Sequence, residues 1–244
     1  MRSQMRHSLL ALLAGTVGAV SGGSLAAATA TASPAPPILL VGGTFAENSS
    51  LAPAADWLRA RGDQVWTMQL SGPLPGTAAI SRSADAIGAR VERIRAETGA
   101  PKVALVGHSQ GALAVREYVR FHGGFDSTAA AVSLGGPHYG DITAYGCIFF
   151  AGCYDMTFGS PFLKALNSGD PTPDGGPRWV HLYSTDATWE KRELEGAENV
   201  PLQSLCPGRK LTHIEEWHDQ AMLELIDAAV HGAPLTTSCP TERI

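Results

Sequence analysis

Lys102-Val103-Ala104-Leu105-Val106-Gly107-His108-Ser109-Gln110-Gly111 is the stretch from which the rest of the chain can be placed. Val103 to Val106 form an unbroken apolar run, the pattern of a central parallel strand covered on both faces. Gly107 to Gly111 then spell Gly-X-Ser-X-Gly, and Ala112 to Arg120 reads as a helix. In such a strand-turn-helix the serine takes a strained backbone conformation, and two glycines without Cβ atoms let strand and helix approach closely. Ser109 is thereby pushed into the open as a candidate nucleophile. The Gln110 N–H falls at the helix N-terminus, where partial positive charge favours a developing oxyanion. Such a motif recurs by chance, and it is the flanking strand and helix that set Ser109 apart from an ordinary turn serine.

Outward from this turn, strands and helices alternate. Ile38 to Val41 reads as a strand ending in Gly42-Gly43-Thr44-Phe45, a loop that can turn the Thr44 N–H toward Ser109 as a second oxyanion donor, with the hydroxyl adding a third hydrogen bond. The plain alternative is a strand-to-loop turn. Pro53 to Arg61 reads as a helix closed by Gly62, and Gln64 to Leu70 as a strand. In Thr77 to Thr98, Ile80, Ala84, Ile87, Val91 and Ile94 recur at helical spacing, and Gly99 and Pro101 end the run. Ala129 to Leu134 and Arg178 to Ser184 supply further strands, Val200 to Ser204 a last short one, and a helix is expected from about Glu215 to Val230. This alternation predicts a mostly parallel central sheet with helices on both faces, whose ligands bind at the strand carboxyl ends. Tyr139 to Pro177 interrupts it with Phe149, Phe150, Met156, Phe158 and Phe162, and a short helix is expected at Ser160-Pro161. Those side chains either wall a substrate site or pack beneath the loop.

The 244 residues fit one domain, residues 38–244, with the insertion at about 139–177. A net charge of -5 offers no basic footprint for nucleic acid. Residues 1–32 read as a cleaved secretory signal, with Arg2 and Arg6, an apolar stretch from Leu9 to Val20, and small-residue cleavage sites at Ala30 or Ala32. Residues 33–37 form a short linker. The apolar stretch is too short to cross a bilayer, and the arginines are not adjacent, so no twin-arginine route is expected. In an exported chain the four cysteines are expected to pair. Three connectivities exist. Cys147 with Cys153, bracketing a loop, and Cys206 with Cys239, tying a late loop to the tail, is the favoured one. Zinc spacing is missing, and no metal or cofactor is expected.

A serine hydroxyl needs a base to take its proton and a carboxylate to orient that base. In folds of this type they follow in the order Ser, Asp, His. Asp186 after a strand and His213 in the last loop satisfy the order, with Asp170 and Asp174 as alternative acids. His218 is the rival base, expected inside the final helix and pointing away. His108 reads as a packed neighbour, and His138 as either a site border or a turn residue.

These stretches resemble the secreted class 2 bacterial lipases, small α/β-hydrolases. The likeness rests on Leu39 to Phe45, Val106 to Arg116, Gly135 to Gly140, Tyr183 to Asp186, and Gly196 to His213 with Cys206-Pro207-Gly208-Arg209. Gly42 stands where many lipases have histidine, and Thr44 matches those with Pro-Gly-Thr. The resemblance implies an α/β-hydrolase fold and a secreted, monomeric carboxylic-ester hydrolase, a triacylglycerol lipase or esterase. Its nucleophile would be Ser109, its acid Asp186, its base His213 and its oxyanion donors Thr44 and Gln110. It would act on an ester or lipid through an acyl-enzyme, without a cofactor and with transient contact at a lipid interface. Two other readings stay open: a polyester or cutin-like depolymerase, and a secreted binding protein that keeps the fold without catalysis.

Overall fold

The computed structural model describes residues 35–186 and 192–244. The expected signal peptide and the start of the linker lie outside them. Six strands form one open, all-parallel sheet: β1 (Ile38–Val41), β2 (Val65–Met68), β3 (Val103–His108), β4 (Thr128–Leu134), β5 (Arg178–Tyr183) and β6 (Glu198–Pro201), in the order β2-β1-β3-β4-β5-β6. The continuous apolar runs follow from burial on both sides. Leu40, Val106, Val132 and Leu182 face α1 (Ala52–Arg59) and the last helix, while Leu39, Leu105 and Ala131 face α2 (Ile80–Thr98) and α3 (Gln110–Phe121). All five expected apolar positions of α2 are buried, and Gly99 ends that helix in the left-handed conformation. Its first turn lacks a local cap. Asp155 instead accepts the Ile80 N–H at 2.9 Å, so the insertion caps the helix.

The insertion is ordered around a 3-10 turn at Thr143–Cys147, α4 (Ala151–Asp155) and α5 (Pro161–Leu166). The last begins where Ser160-Pro161 predicts, with the Ser160 hydroxyl accepting the Leu163 N–H. Cys147 is joined to Cys153 and Cys206 to Cys239.

Two elements differ from the sequence reading. The strand expected at Val200 to Ser204 is β6 followed at once by α6 (Leu202–Leu205), because Pro201 lacks an N–H for a ladder and presets a helical start. The helix expected from Glu215 is broken into a 3-10 turn at His213–His218 and α7 (Gln220–Val230). Asp219 causes the break: in extended conformation it accepts the Met222 N–H at 3.2 Å and pairs with Arg209 at 2.6 Å, the chemistry of a helix cap.

His138 is buried and does not line the cavity at the strand carboxyl ends, so it does not border the site. It belongs to a polar chain across the sheet: Arg116 meets its Nδ1 at 3.2 Å, Ser133 Oγ meets its Nε2 at 2.8 Å, and the same hydroxyl lies 3.0 Å from His181 Nδ1. Burial first, then Arg116 and His181, push the His138 imidazole well below its usual range, which keeps it neutral. Arg116 also donates to the Leu166 and Pro171 carbonyls and to Asn167, tying the far end of the insertion to α3. Burial and the nearby Arg120 lower its guanidinium to about 9, so it stays charged at neutral pH. Arg116→Ala would orphan these buried acceptors. We expect a loss of about 3 kcal/mol, read as a lower urea midpoint at unchanged slope.

Candidate active site

The backbone of Ser109 stands at φ 55°, ψ -125°, the left-handed side of the map that side chains avoid. It is held there from both ends. β3 is pinned between β1 and β4, and α3 starts at the next residue. A Cβ on Gly107 would collide with Gly111 and Ala112, and one on Gly111 with the carbonyls of Val41 and Gly42. Only glycine fits these two positions. Ser109 is therefore presented at the carboxyl end of the sheet, on a cavity of about 690 Å³ that Thr44, His108, His213 and His218 also line.

Gln110 organises the donor side. Its buried amide donates to the Gly76 carbonyl at 3.0 Å and accepts the Thr44 hydroxyl at 3.0 Å. The hydroxyl expected to add a third hydrogen bond is thus engaged with Gln110. Among the described residues, the backbone N–H groups of Thr44 and Gln110 have no acceptor. That is the condition two oxyanion donors require.

On the other side, His213 opens the 3-10 turn, which Thr212 and Glu215 fasten in a reciprocal cap. The side-chain and backbone hydrogen bonds from Thr212, with Arg243 assisting, hold the Glu215 carboxyl down at about 2. A depressed carboxyl supports the fold above its unfolded value and stops doing so as pH falls through the folded one, so this cap survives until pH drops from about 4.5 toward 2. The His213 ring stacks on His108 with centroids 4.5 Å apart, and its carbonyl lies 3.0 Å from His108 Nε2. A carbonyl only accepts, so that nitrogen must donate. His108 is a packed neighbour, as its motif position implies.

Asp186 follows β5 and reaches the same loop: Oδ2 accepts the Leu211 N–H at 3.0 Å, and Lys210 approaches Oδ1 at 3.3 Å. Neither Asp170 nor Asp174 lines the cavity, and Asp170 closes its own turn on the Thr172 N–H. The expected position of His218 is corrected. Because the helix starts only after Asp219, His218 ends the 3-10 turn and lines the cavity beside His213.

The sequence reading missed Glu216. In a 3-10 turn, residues three apart eclipse. Glu216 therefore sits beneath His213, with Oε2 at 3.6 Å from Nδ1 and at 3.4 Å from His108 Nε2, and Oε1 accepting the Ser184 N–H at 3.1 Å. The His-X-X-Glu spacing behind a threonine cap was its only sequence signal.

The apolar wall is also different from expectation. Of the five insertion side chains named above, only Met156 lines the cavity. Phe149 is 78% exposed, Phe158 stands outside, Phe162 packs on the core, and Phe150 backs Phe45 edge-on at 6.4 Å. Phe45 from the loop after β1, Ala144 from the insertion's own 3-10 turn, and Ile214 and Trp217 from the turn that His213 opens complete the wall with Met156.

Two groups among the described residues bring three ligand-type atoms together. In His108, His213 and Glu216, the nitrogen of His108 is committed as a donor. In Asp63, Asp227 and His231, Nδ1 of the imidazole donates to the Asp227 backbone carbonyl at 2.8 Å and Nε2 meets the Asp63 carboxylate at 3.0 Å.

The parallel sheet, the strained serine at its centre and the histidine loop before the last helix together define the α/β-hydrolase fold. Residues 36–145 match the family described as alpha/beta hydrolase fold. Among solved structures, Aspergillus fumigatus lipase B is similar at a TM-score of 0.65 and 15% identity, over 85% of this chain and 55% of that one. Phospholipase PlaB from Legionella pneumophila is similar at 0.51 and 16%, over 61% and 39%. The matched regions thus span less than two thirds of those proteins, and the likeness is one of fold. No curated protein matches by sequence.

If Gln110 positions the Thr44 loop, Gln110→Ala should slow the labelling of Ser109 by an organophosphonate about a hundredfold, the usual effect of a misplacement near 1 Å. Mass measurement of the adduct against time checks this.

Proposed function

We propose that this chain is an exported carboxylic-ester hydrolase, a lipase or esterase, formed as one catalytic domain behind a cleaved leader. The observation that carries the reading is Ser109, held at a left-handed backbone and lining an apolar cavity that His213 shares. Ser109 Oγ attacks the ester carbonyl carbon as His213 takes its proton. The carbonyl oxygen becomes an oxyanion held by the N–H groups of Thr44 and Gln110. His213 returns the proton to the departing alcohol, leaving an acyl-enzyme that water then cleaves by the same route. Since Nδ1 of His213 faces the carboxylate side, Nε2 is the nitrogen left for this traffic. Asp186 is the orienting acid, on its position after β5 and its hold on the loop two residues before His213.

The acyl chain would lie against Met156, Phe45, Ala144 and Trp217. Each methylene buried there is worth about 0.8 kcal/mol, roughly fourfold in catalytic efficiency. Efficiency on simple esters should therefore rise with acyl length and then level off. A preference for acetate with no gain beyond it would point to a short-chain esterase instead. One observation favours polymer or lipid surfaces as the bulk substrate: Phe45, Ile142, Phe149 and Ile214 stand exposed on the strand-end loops and the insertion. A polyester film and a triglyceride emulsion, assayed side by side, separate these two, and activity on neither would favour the binding-protein reading.

For the residues, Ser109→Ala and His213→Ala should each cost several orders of magnitude in kcat, because such a set works as a unit. His218→Ala should stay within about tenfold. An inactive His218→Ala beside an active His213→Ala would move the base to His218.

A further inference from the structure

Glu216 is the one carboxylate beneath His213 that the scheme above leaves unused. It is 0% exposed: the Ser184 N–H donates to Oε1 at 3.1 Å, while Oε2 is buried without a hydrogen bond among the described residues, 3.4 Å from the His108 Nε2 that is spent on the His213 carbonyl. The His213 ring lies 3.6 Å from the same oxygen, too long for a hydrogen bond and well within the range at which a charge acts on an imidazole. The backbone makes room for it. Gly135, at the end of β4, is left-handed at φ +57°, and a Cβ there would strike both Glu216 Oε2 and the His213 ring. A buried carboxylate without a task would be replaced at little cost by an apolar side chain, as the desolvation of a charge requires.

We propose that Glu216 is a second carboxylate of the site, a positioning residue that shares with Asp186 the work of orienting His213 and stabilising its protonated form. The inference rests on the reading of His213 as the base. Glu216 approaches from within the turn, and Asp186 holds the loop from outside it. The other charged or titratable groups around the pair are His108 on β3, Lys210 on Asp186, Glu215 and His218 in the same turn, and the Arg209–Asp219 pair at its end.

Glu216→Gln keeps an oxygen for the Ser184 N–H while removing the charge, so the fold should be retained. Without the charge, His213 loses its proton at lower pH. The acid limb of kcat/KM should move down by about one unit or more, and kcat should fall about tenfold. Loss on adding Asp186→Asn should exceed the product of the single losses, as expected when two groups back each other up. An unchanged pH profile, or a double variant equal to Asp186→Asn alone, would overturn the proposal. Two measurements need no substrate. The His213 ring resonances should titrate at lower pH in Glu216→Gln than in the wild type. In the wild type, the Glu216 carboxyl carbon should shift as His213 titrates, and this holds even where the variant fails to fold. A carboxyl signal blind to that titration would sink the idea. Normal coupling in a protein inactive on every ester would leave Glu216 in place and reject the ester reading alone.

Discussion

The left-handed backbone at Ser109 is the constraint on which the rest of the site depends. A residue with a side chain occupies that region at a cost of about 1–3 kcal/mol, so the surroundings must over-determine it. Here β3 is fixed by ladders on both edges and buried on both faces, and α3 is packed against α2 immediately beyond the turn. Neither element can relax without opening the core. The strain is therefore held at Ser109, which lines the cavity.

The histidine side is held by different means. His213 lies on a loop, where no ladder fixes the chain, and polar lacing takes its place. Ser184 donates its hydroxyl to the Leu211 carbonyl and its N–H to Glu216, Gln203 bridges Ser184 and the Arg209 carbonyl, and Arg209 clamps Asp219. The Cys206–Cys239 bridge fastens the same loop to the C-terminal tail. Such networks hold geometry well when every member is satisfied. His213 is thus positioned by hydrogen bonds and Ser109 by packing.

What could be read from the sequence divides along the same line. The strands, the elbow and α2 were legible because burial on both faces writes unbroken apolar runs and helical spacing writes the rest. The places of Ser109 and Gln110 followed from the strand-turn-helix around Ser109, and that of Thr44 from the Gly-Gly loop after β1. What was not legible came from side chains acting at a distance. Asp219 breaks the last helix through a cap completed by Arg209, and that break alone brings His218 to the cavity and Glu216 under His213. Burial of His138 depends on Arg116, twenty-two positions away. The aromatic insertion was misread for a simpler reason: apolar composition marks a residue that can line a cavity, and says nothing about which side of a short helix faces it.

That insertion is built as a fixed rim. Three ties bind it to the body: Arg116 to Leu166 and Pro171, Asn167 to the His138 carbonyl, and Asp155 to the head of α2, while the disulfide between Cys147 and Cys153 closes its own turn. Gly152 presses on the Gln110 amide and Gly76, so the insertion also buttresses the donor side of the site. A hinged cover needs few buried contacts and a segment that opens at little cost. Here, swinging the insertion away would uncap α2, strip a buried guanidinium of its carbonyl acceptors and loosen the residue that orients Thr44. The rim beside Ser109 is accordingly held by the same contacts that build the body.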